Sequence, residues 1–199
     1  TIYGPDKSKN TLDEIVGLGV GRVPFPVTVE ELQSGSKVNY EGYYIIAFSV
    51  QHGVPALGYA LCEEERPGRF DVECARNLGV PEGPLFSMLH SGEAVEVNGQ
   101  WIQPEEVVGP TRPGRKLVYT GDTRPNEMVR KIAEGASLLI HEATFAEEER
   151  VRADETRHST AREAAVIARD AGVSNLLLTH ISARYSDNPS NLLKEAQRV

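Results

Sequence analysis

The sequence predicts an α/β fold, and three observations carry that reading. Short apolar runs alternate with amphipathic helical patterns through its second half. Those runs are apolar nearly without interruption, as strands of a buried sheet covered by helices are. Capping residues and glycines stand at the joints between the two kinds of text.

The elements follow in order. The chain opens in strand-like text, "TIYGP", and the glycine-rich "GLGVG" at 17–21 reads as a turn. It lacks the Lys-Ser/Thr that would make it a phosphate loop. "FPVTVEELQSGSKVNYEGYYIIAFSVQH" is strand-rich with glycine turns, and only "VEEL" within it reads as helical. Residues 62–110 change character: they are punctuated by Pro and Gly, and carry ten Asp/Glu against three Arg and no Lys. That shift marks an insertion or arm. "KLVYTGDT" then supplies a strand at Leu117–Tyr119, broken by Gly121. Pro125 suits the start of the next helix, "NEMVRKIAEG", and Gly135 its end. A second strand follows at Leu138–Ile140. "STAREAAVIARDAG" is the strongest helix of the chain, with Thr160 and Glu163 as a capping box and Gly172 as its stop. "NLLLTH" is the third strand of this half.

Composition bounds what such a fold can do. With 199 residues, 40% hydrophobic and 25% charged, the chain forms one globular domain or a large part of one. It can bury a core without disulfide or metal staples. Only Cys62 and Cys74 are present, twelve positions apart, which points to a reducing compartment more than a disulfide scaffold. Their lack of a paired CxxC spacing points away from cysteine-bound zinc. No apolar run approaches the ~20 residues of a membrane span, and no leader-like segment opens the chain. A net charge of −8 argues against a wholesale basic footprint for nucleic acid. It leaves room for a local basic patch, or for a site whose cations supply the positive charge.

The chemistry sits at the ends of elements. His52, Asp122, His141 and His180 each follow an apolar run, and His158 stands just before the capped helix. Side chains at strand C-termini leave the sheet edge and converge, so α/β proteins gather ligands and catalytic groups there. One such histidine is as a rule structural; five such groups in one chain are harder to read that way. Two His and an Asp suit a borderline-soft divalent ion such as zinc. An Asp can also bridge two ions ~3.5–4 Å apart, the arrangement used for phosphodiester hydrolysis. The helix entry beside His158 favours a phosphate and disfavours imidazolium, which a carboxylate such as Glu142 would offset. His141 reads as a supporting residue and His90 as a surface one.

"SVQHGVPALGYAL", "YTGDTRP", "LLIHEATFAEEER", "RHSTAREAA" and "LLLTHISARY" together resemble ribonuclease Z, the tRNA 3′-processing endonucleases of the metallo-β-lactamase superfamily. The resemblance runs through the whole chain. It implies a partial αββα metallo-β-lactamase sandwich, with residues 62–110 as a protruding arm that grips the tRNA elbow. It implies two zinc ions, with manganese as the alternative, held in part by His52, Asp122 and His180. Asp122 would bridge the ions. Glu142 and His158 match the pair that protonates the leaving oxygen. Ser182 and Arg184 match the stretch near the acceptor end, and Gly83 and Pro84 the substrate-gripping arm. The family's His-x-His-x-Asp-His motif, which supplies four more ligands and the general base, would precede Thr1, and its last strands would follow Val199. The implied activity removes 3′ trailers from precursor tRNA and leaves a 3′-hydroxyl, in a cytoplasmic homodimer away from membranes. Two alternatives stay open: a metallo-β-lactamase-fold hydrolase of a small phosphodiester or other ester, and a non-catalytic fragment lacking half its metal site.

Overall fold

"KLVY", "LLIHE" and "LLLT" lie side by side as parallel strands, so the three apolar runs end at one edge of one sheet. They belong to a computed structural model that describes residues 1–18 and 24–199. Residues 19–21 of the expected "GLGVG" turn lie outside the described residues.

In chain order the elements are β1 (Ile2–Pro5), α1 (Lys9–Gly17), β2 (Val29–Leu32), β3 (Lys37–Tyr40), β4 (Tyr43–Ser49), β5 (Leu57–Glu63), α2 (Val72–Asn77), α3 (Pro84–His90), β6 (Val95–Val97), β7 (Gln100–Ile102), α4 (Pro104–Val107), β8 (Lys116–Tyr119), α5 (Glu127–Ala133), β9 (Leu138–Glu142), α6 (Arg150–Thr156), α7 (Ala161–Asp170), β10 (Leu176–Thr179) and α8 (Ser190–Ala196). The main sheet has the order β10-β9-β8-β5-β4-β3. Strand β5 runs antiparallel to β8, with Tyr59 opposite Tyr119.

The chain divides into two units. The first comprises 1–62 and 115–199 and contains the main sheet; the second comprises 63–114. In the first, Phe48, Ala60, Val118 and Leu139 face Val129 and Ala133 of α5 and Ile167 and Ala168 of α7. Removing apolar area from water on this scale is what holds helices on a sheet. The opposite face carries a row of apolar side chains in register, Tyr59, Tyr119, Ile140 and Leu177. Tyr119 is 44% and Leu177 47% exposed. The second unit has its own core of Ala75, Val80, Leu89, Val95, Ile102 and Val107. Among the described residues no helix is long and apolar enough to cross a membrane.

Local signals translate well in the second half. Thr160 caps α7, and its hydroxyl accepts from the Glu163 N–H while the Glu163 carboxylate accepts from the Thr160 N–H. Gly135 and Gly172 end α5 and α7 with φ of 64° and 62°, where a side chain would be strained. Two expectations are corrected. "VEEL" is the strand β2, paired in parallel with β1, because burying Val29 and joining Ile2–Pro5 outweighs the weak helical bias of four residues. A helix appears instead at Lys9–Gly17; it buries no residue and has no side-chain cap, so its sequence signal is faint. Pro125 also stands one position before the true cap, since the Asn126 side chain accepts from the Val129 N–H to start α5.

Candidate active site

Asp122 follows β8, Glu142 ends β9, and His180 follows β10, so parallel strands deliver all three to one edge. The segment after β4 is tied to the same edge. Gln51 N–H donates to Thr123 Oγ1 at 3.0 Å, and Arg124 N–H donates to the Gln51 carbonyl at 2.8 Å. These bonds bring His52 in. His158 arrives from the turn between α6 and α7. The ring of His158 lies 5.2 Å from that of His52, and 5.2 Å from that of His180 in a near-parallel stack.

Glu142 is the buried centre of this arrangement. Its side chain is wholly out of solvent, yet five donors converge on it. Oε1 accepts from Thr123 N–H at 2.9 Å and from His158 Nδ1 at 2.8 Å. Oε2 accepts from Thr144 N–H at 3.2 Å, Thr144 Oγ1 at 2.7 Å and Ser159 N–H at 3.0 Å. Such a set of donors is the complement of a carboxylate and makes its burial tolerable.

The hydrogen bonds also set the histidine tautomers. His52 Nδ1 faces the Arg157 carbonyl at 3.1 Å, which only accepts, so Nδ1 carries the proton and Nε2 the lone pair. His180 Nδ1 lies 2.8 Å from Thr144 Oγ1. That hydroxyl gives its one proton to Glu142, so it accepts from His180 and leaves His180 Nε2 with a lone pair. Two imidazoles are thereby held in the form a metal binds, by the kind of outer bonds that orient metal ligands. His180 is itself strained, with φ 54° in the left-handed region, as residues at functional sites often are.

Among the described residues, two groups of side chains could hold an ion: His52, Asp122 and His158, and Glu142, His158 and His180. Glu142 is the poorest donor among them, since five hydrogen bonds already occupy its oxygens. Asp122 is the accessible carboxylate; its Oδ1 lies 3.6 Å from His180 Nδ1. The His52 and His180 imidazoles and the accessible Asp122 carboxylate are donor types that a zinc-like ion takes, with His52 and Asp122 in the first group and His180 in the second. His158 belongs to both groups by distance, but its Nδ1 is committed to Glu142.

The remaining expected residues divide by place. Ser182 N–H donates to the Thr144 carbonyl at 3.2 Å, which docks the turn after His180 beside Glu142. Arg184 pairs with Glu149 at 2.9 Å and lies 5.4 Å from the Phe145 ring. Gly83 and Pro84 cap and open α3 in the second unit, both exposed. His141 is fully buried, its Nδ1 2.8 Å from the Glu142 carbonyl, and burial lowers its pKa below the usual 6.5. Exposed His90 donates to the Gly68 carbonyl at 3.1 Å. Sequence reasoning missed Thr123, Thr144 and Ser159, although "GDT", "HEAT" and "HST" place each one next to or two residues from a chosen group.

Residues 91–181 match the family model described as a beta-lactamase superfamily domain. Ribonuclease Z of Myxococcus xanthus is 51% identical over 197 residues, covering 98% of this chain and 64% of that protein. Ribonuclease Z of Haloferax volcanii is 51% identical over 201 residues, covering 100% and 63%. That of Methanosarcina acetivorans is 47% identical over 198 residues, covering 100% and 65%. The chain therefore spans slightly less than two thirds of the length of these curated relatives. Among solved structures, the metallo-beta-lactamase fold protein YhfI from Bacillus subtilis superposes with TM-score 0.62 at 19% identity, over 100% of this chain and 58% of that one. The short form of human tRNase Z gives 0.57 at 22% identity, over 93% and 62%. The resemblance read from the motifs and the metallo-β-lactamase fold are both borne out.

Proposed function

Starting from a chain with the metallo-β-lactamase fold and ribonuclease Z-like sequence from end to end, we propose that it is the larger part of a metal-dependent endoribonuclease. Its substrate is precursor tRNA, from which it removes the 3′ trailer to leave a 3′-hydroxyl. The observation that carries this reading is the pairing of buried Glu142 with half-buried His158, set against two lone-pair histidines and an accessible aspartate.

In this reading His52, Asp122 and His180 hold part of a two-zinc centre, for which their donor chemistry is suited and manganese is the alternative. Bound zinc activates water and neutralises the scissile phosphate. The chain's own residues handle the leaving side. Glu142 fixes His158 through Nδ1, so the proton His158 can release is the one on Nε2. As the P–O3′ bond breaks, that proton goes to the 3′ oxygen, which leaves as the 3′-hydroxyl of the tRNA. The carboxylate stabilises the cationic imidazole against the helix entry beside it. Ser182 and Arg184 lie on the turn beside Glu142 and so border the acceptor end.

The arm, 62–110, would grip the tRNA at a distance through the face that includes Gly83 and Pro84; its separate core supports an independent role. A homodimer, in which one subunit's arm serves the other's site, follows from the resemblance. The two free cysteines support a reducing, cytoplasmic setting.

The test is cleavage of a precursor tRNA with a 3′ trailer against a chromogenic small diester, using a chain that carries the full length of its relatives. A cut 3′ of the discriminator nucleotide, with a 3′-hydroxyl, supports the proposal. Turnover of the small diester alone would favour the hydrolase reading instead.

A further inference from the structure

Glu163 caps α7, but a cap alone explains neither its burial nor its partners. Arg124 grips the same carboxylate as a fork, with Nη2 2.7 Å from Oε1 and Nη1 2.8 Å from Oε2. Nη1 also donates to the main-chain carbonyl of His158 at 2.6 Å. Both side chains are largely buried, 12% exposed for Arg124 and 14% for Glu163. Burial pushes the Glu163 carboxyl up; the Arg124 and Thr160 hydrogen bonds and the charges of Arg124 and Arg150 outweigh it and hold the group below its ordinary value.

The backbone of Arg124 is anchored as well. Its N–H donates to the carbonyl of Gln51, the neighbour of His52, and Asp122 lies two residues earlier in the same loop. On the other side, His52 Nδ1 donates to the Arg157 carbonyl, so the carbonyls of residues 157 and 158 receive His52 and Arg124 respectively. Arg157, with φ 62°, is the left-handed residue at which the chain turns from α6 toward His158. One arginine, through its backbone N–H and its guanidinium together, thus joins the loops after β4 and β8 to the turn that carries His158 and to the first turn of α7.

We propose that Arg124 is a positioning residue for tRNA cleavage: forked to Glu163, it holds the His158 carbonyl and so keeps the imidazole between Glu142 and the leaving oxygen. This rests on the reading of His158 as proton donor. Arg suits the task because its planar fork meets two carboxylate oxygens and a carbonyl at once. A lysine ammonium is a compact point charge that keeps the pair but not that geometry.

The test uses the full-length, metal-loaded enzyme with Arg124→Lys and, in parallel, His158→Ala. Two substrates are compared: precursor tRNA, whose 3′ oxygen needs a proton to leave, and bis(p-nitrophenyl) phosphate, whose phenolate does not. Arg124→Lys should keep its metal content and its KM for tRNA. Its kcat on tRNA should fall roughly 10–10²-fold further than on the nitrophenyl diester, the scale of a misplaced catalytic group. His158→Ala should show the same substrate bias. Equal loss on both substrates, or no loss, in Arg124→Lys while His158→Ala remains biased overturns the positioning role and leaves the donor reading standing. An unbiased His158→Ala overturns the donor reading and the positioning role with it. Should Arg124→Lys fail to fold, Glu163→Gln, which loosens the fork from the other side, carries the same comparison.

Discussion

Glu142→Gln removes one acceptor and adds two donors at a point where five donors already meet. Suppose the amide oxygen takes the place of Oε2. It still accepts from Thr144 N–H, Thr144 Oγ1 and Ser159 N–H, while the new NH₂ faces the Thr123 N–H and His158 Nδ1. His158 can move its proton to Nε2 and accept from the amide, but the Thr123 N–H has no such escape. In the opposite orientation the Thr144 and Ser159 N–H groups are the ones stranded. At least one buried backbone donor is orphaned either way, at about 1–3 kcal/mol, and the surviving bonds lose their charge assistance. Relief from burying a charge offsets part of that. The expected net loss is about 2–4 kcal/mol, well beyond the roughly ±0.5 kcal/mol of an ordinary surface substitution. Urea unfolding should show it as a lower midpoint at constant slope, with exposed Glu148→Gln as the control. A midpoint unchanged within error would refute the account of Glu142 as a fully used buried acceptor.

The other predictions address ligands, arm, titration and completeness. His158→Ala should retain metal while cleavage falls roughly 10²–10⁴-fold, whereas Asp122→Ala should lose metal; zinc analysis beside single-turnover cleavage separates them, and zinc loss in His158→Ala would make it a ligand. Deleting 62–110 should raise KM for precursor tRNA and spare a small diester, and equal losses on both would make the arm part of the catalytic core. Because burial lowers the pKa of His141 below 6.5, the unfolded chain takes up a proton that the folded chain refuses. Stability contributed by this group is therefore level above pH 6.5 and falls as pH drops below it, and His141→Phe should flatten that fall in unfolding measurements. The 199-residue chain by itself should bind zinc weakly, since His52, Asp122 and His180 alone give neither ion three ligands apart from a shared Asp; tight uptake of two zincs in a calorimetric titration would contradict this.

What the sequence by itself determined lies within a few residues of each signal. The Thr160–Glu163 box and the glycines after α5 and α7 were legible because their hydrogen bonds close over three or four positions. The placement of His52, Asp122 and His180 beyond strand ends was legible because an apolar run that gives way to a His or Asp is a local pattern, whatever lies beside it. The strand at "VEEL" was not, since its partner is Ile2–Pro5 and four residues alone cannot declare it. Nor was the setting of Glu142, whose donors come from residues 123, 144, 158 and 159 on three separate stretches of chain. Arg124 read as one residue of "GDTRP"; its partner Glu163, 39 positions on, already had a local role as a cap. Only the parallel order of β8, β9 and β10 brings these groups to one edge. There, out of water, each buried donor and acceptor had to find a partner, and those partners fix the histidine tautomers and the grip on His158.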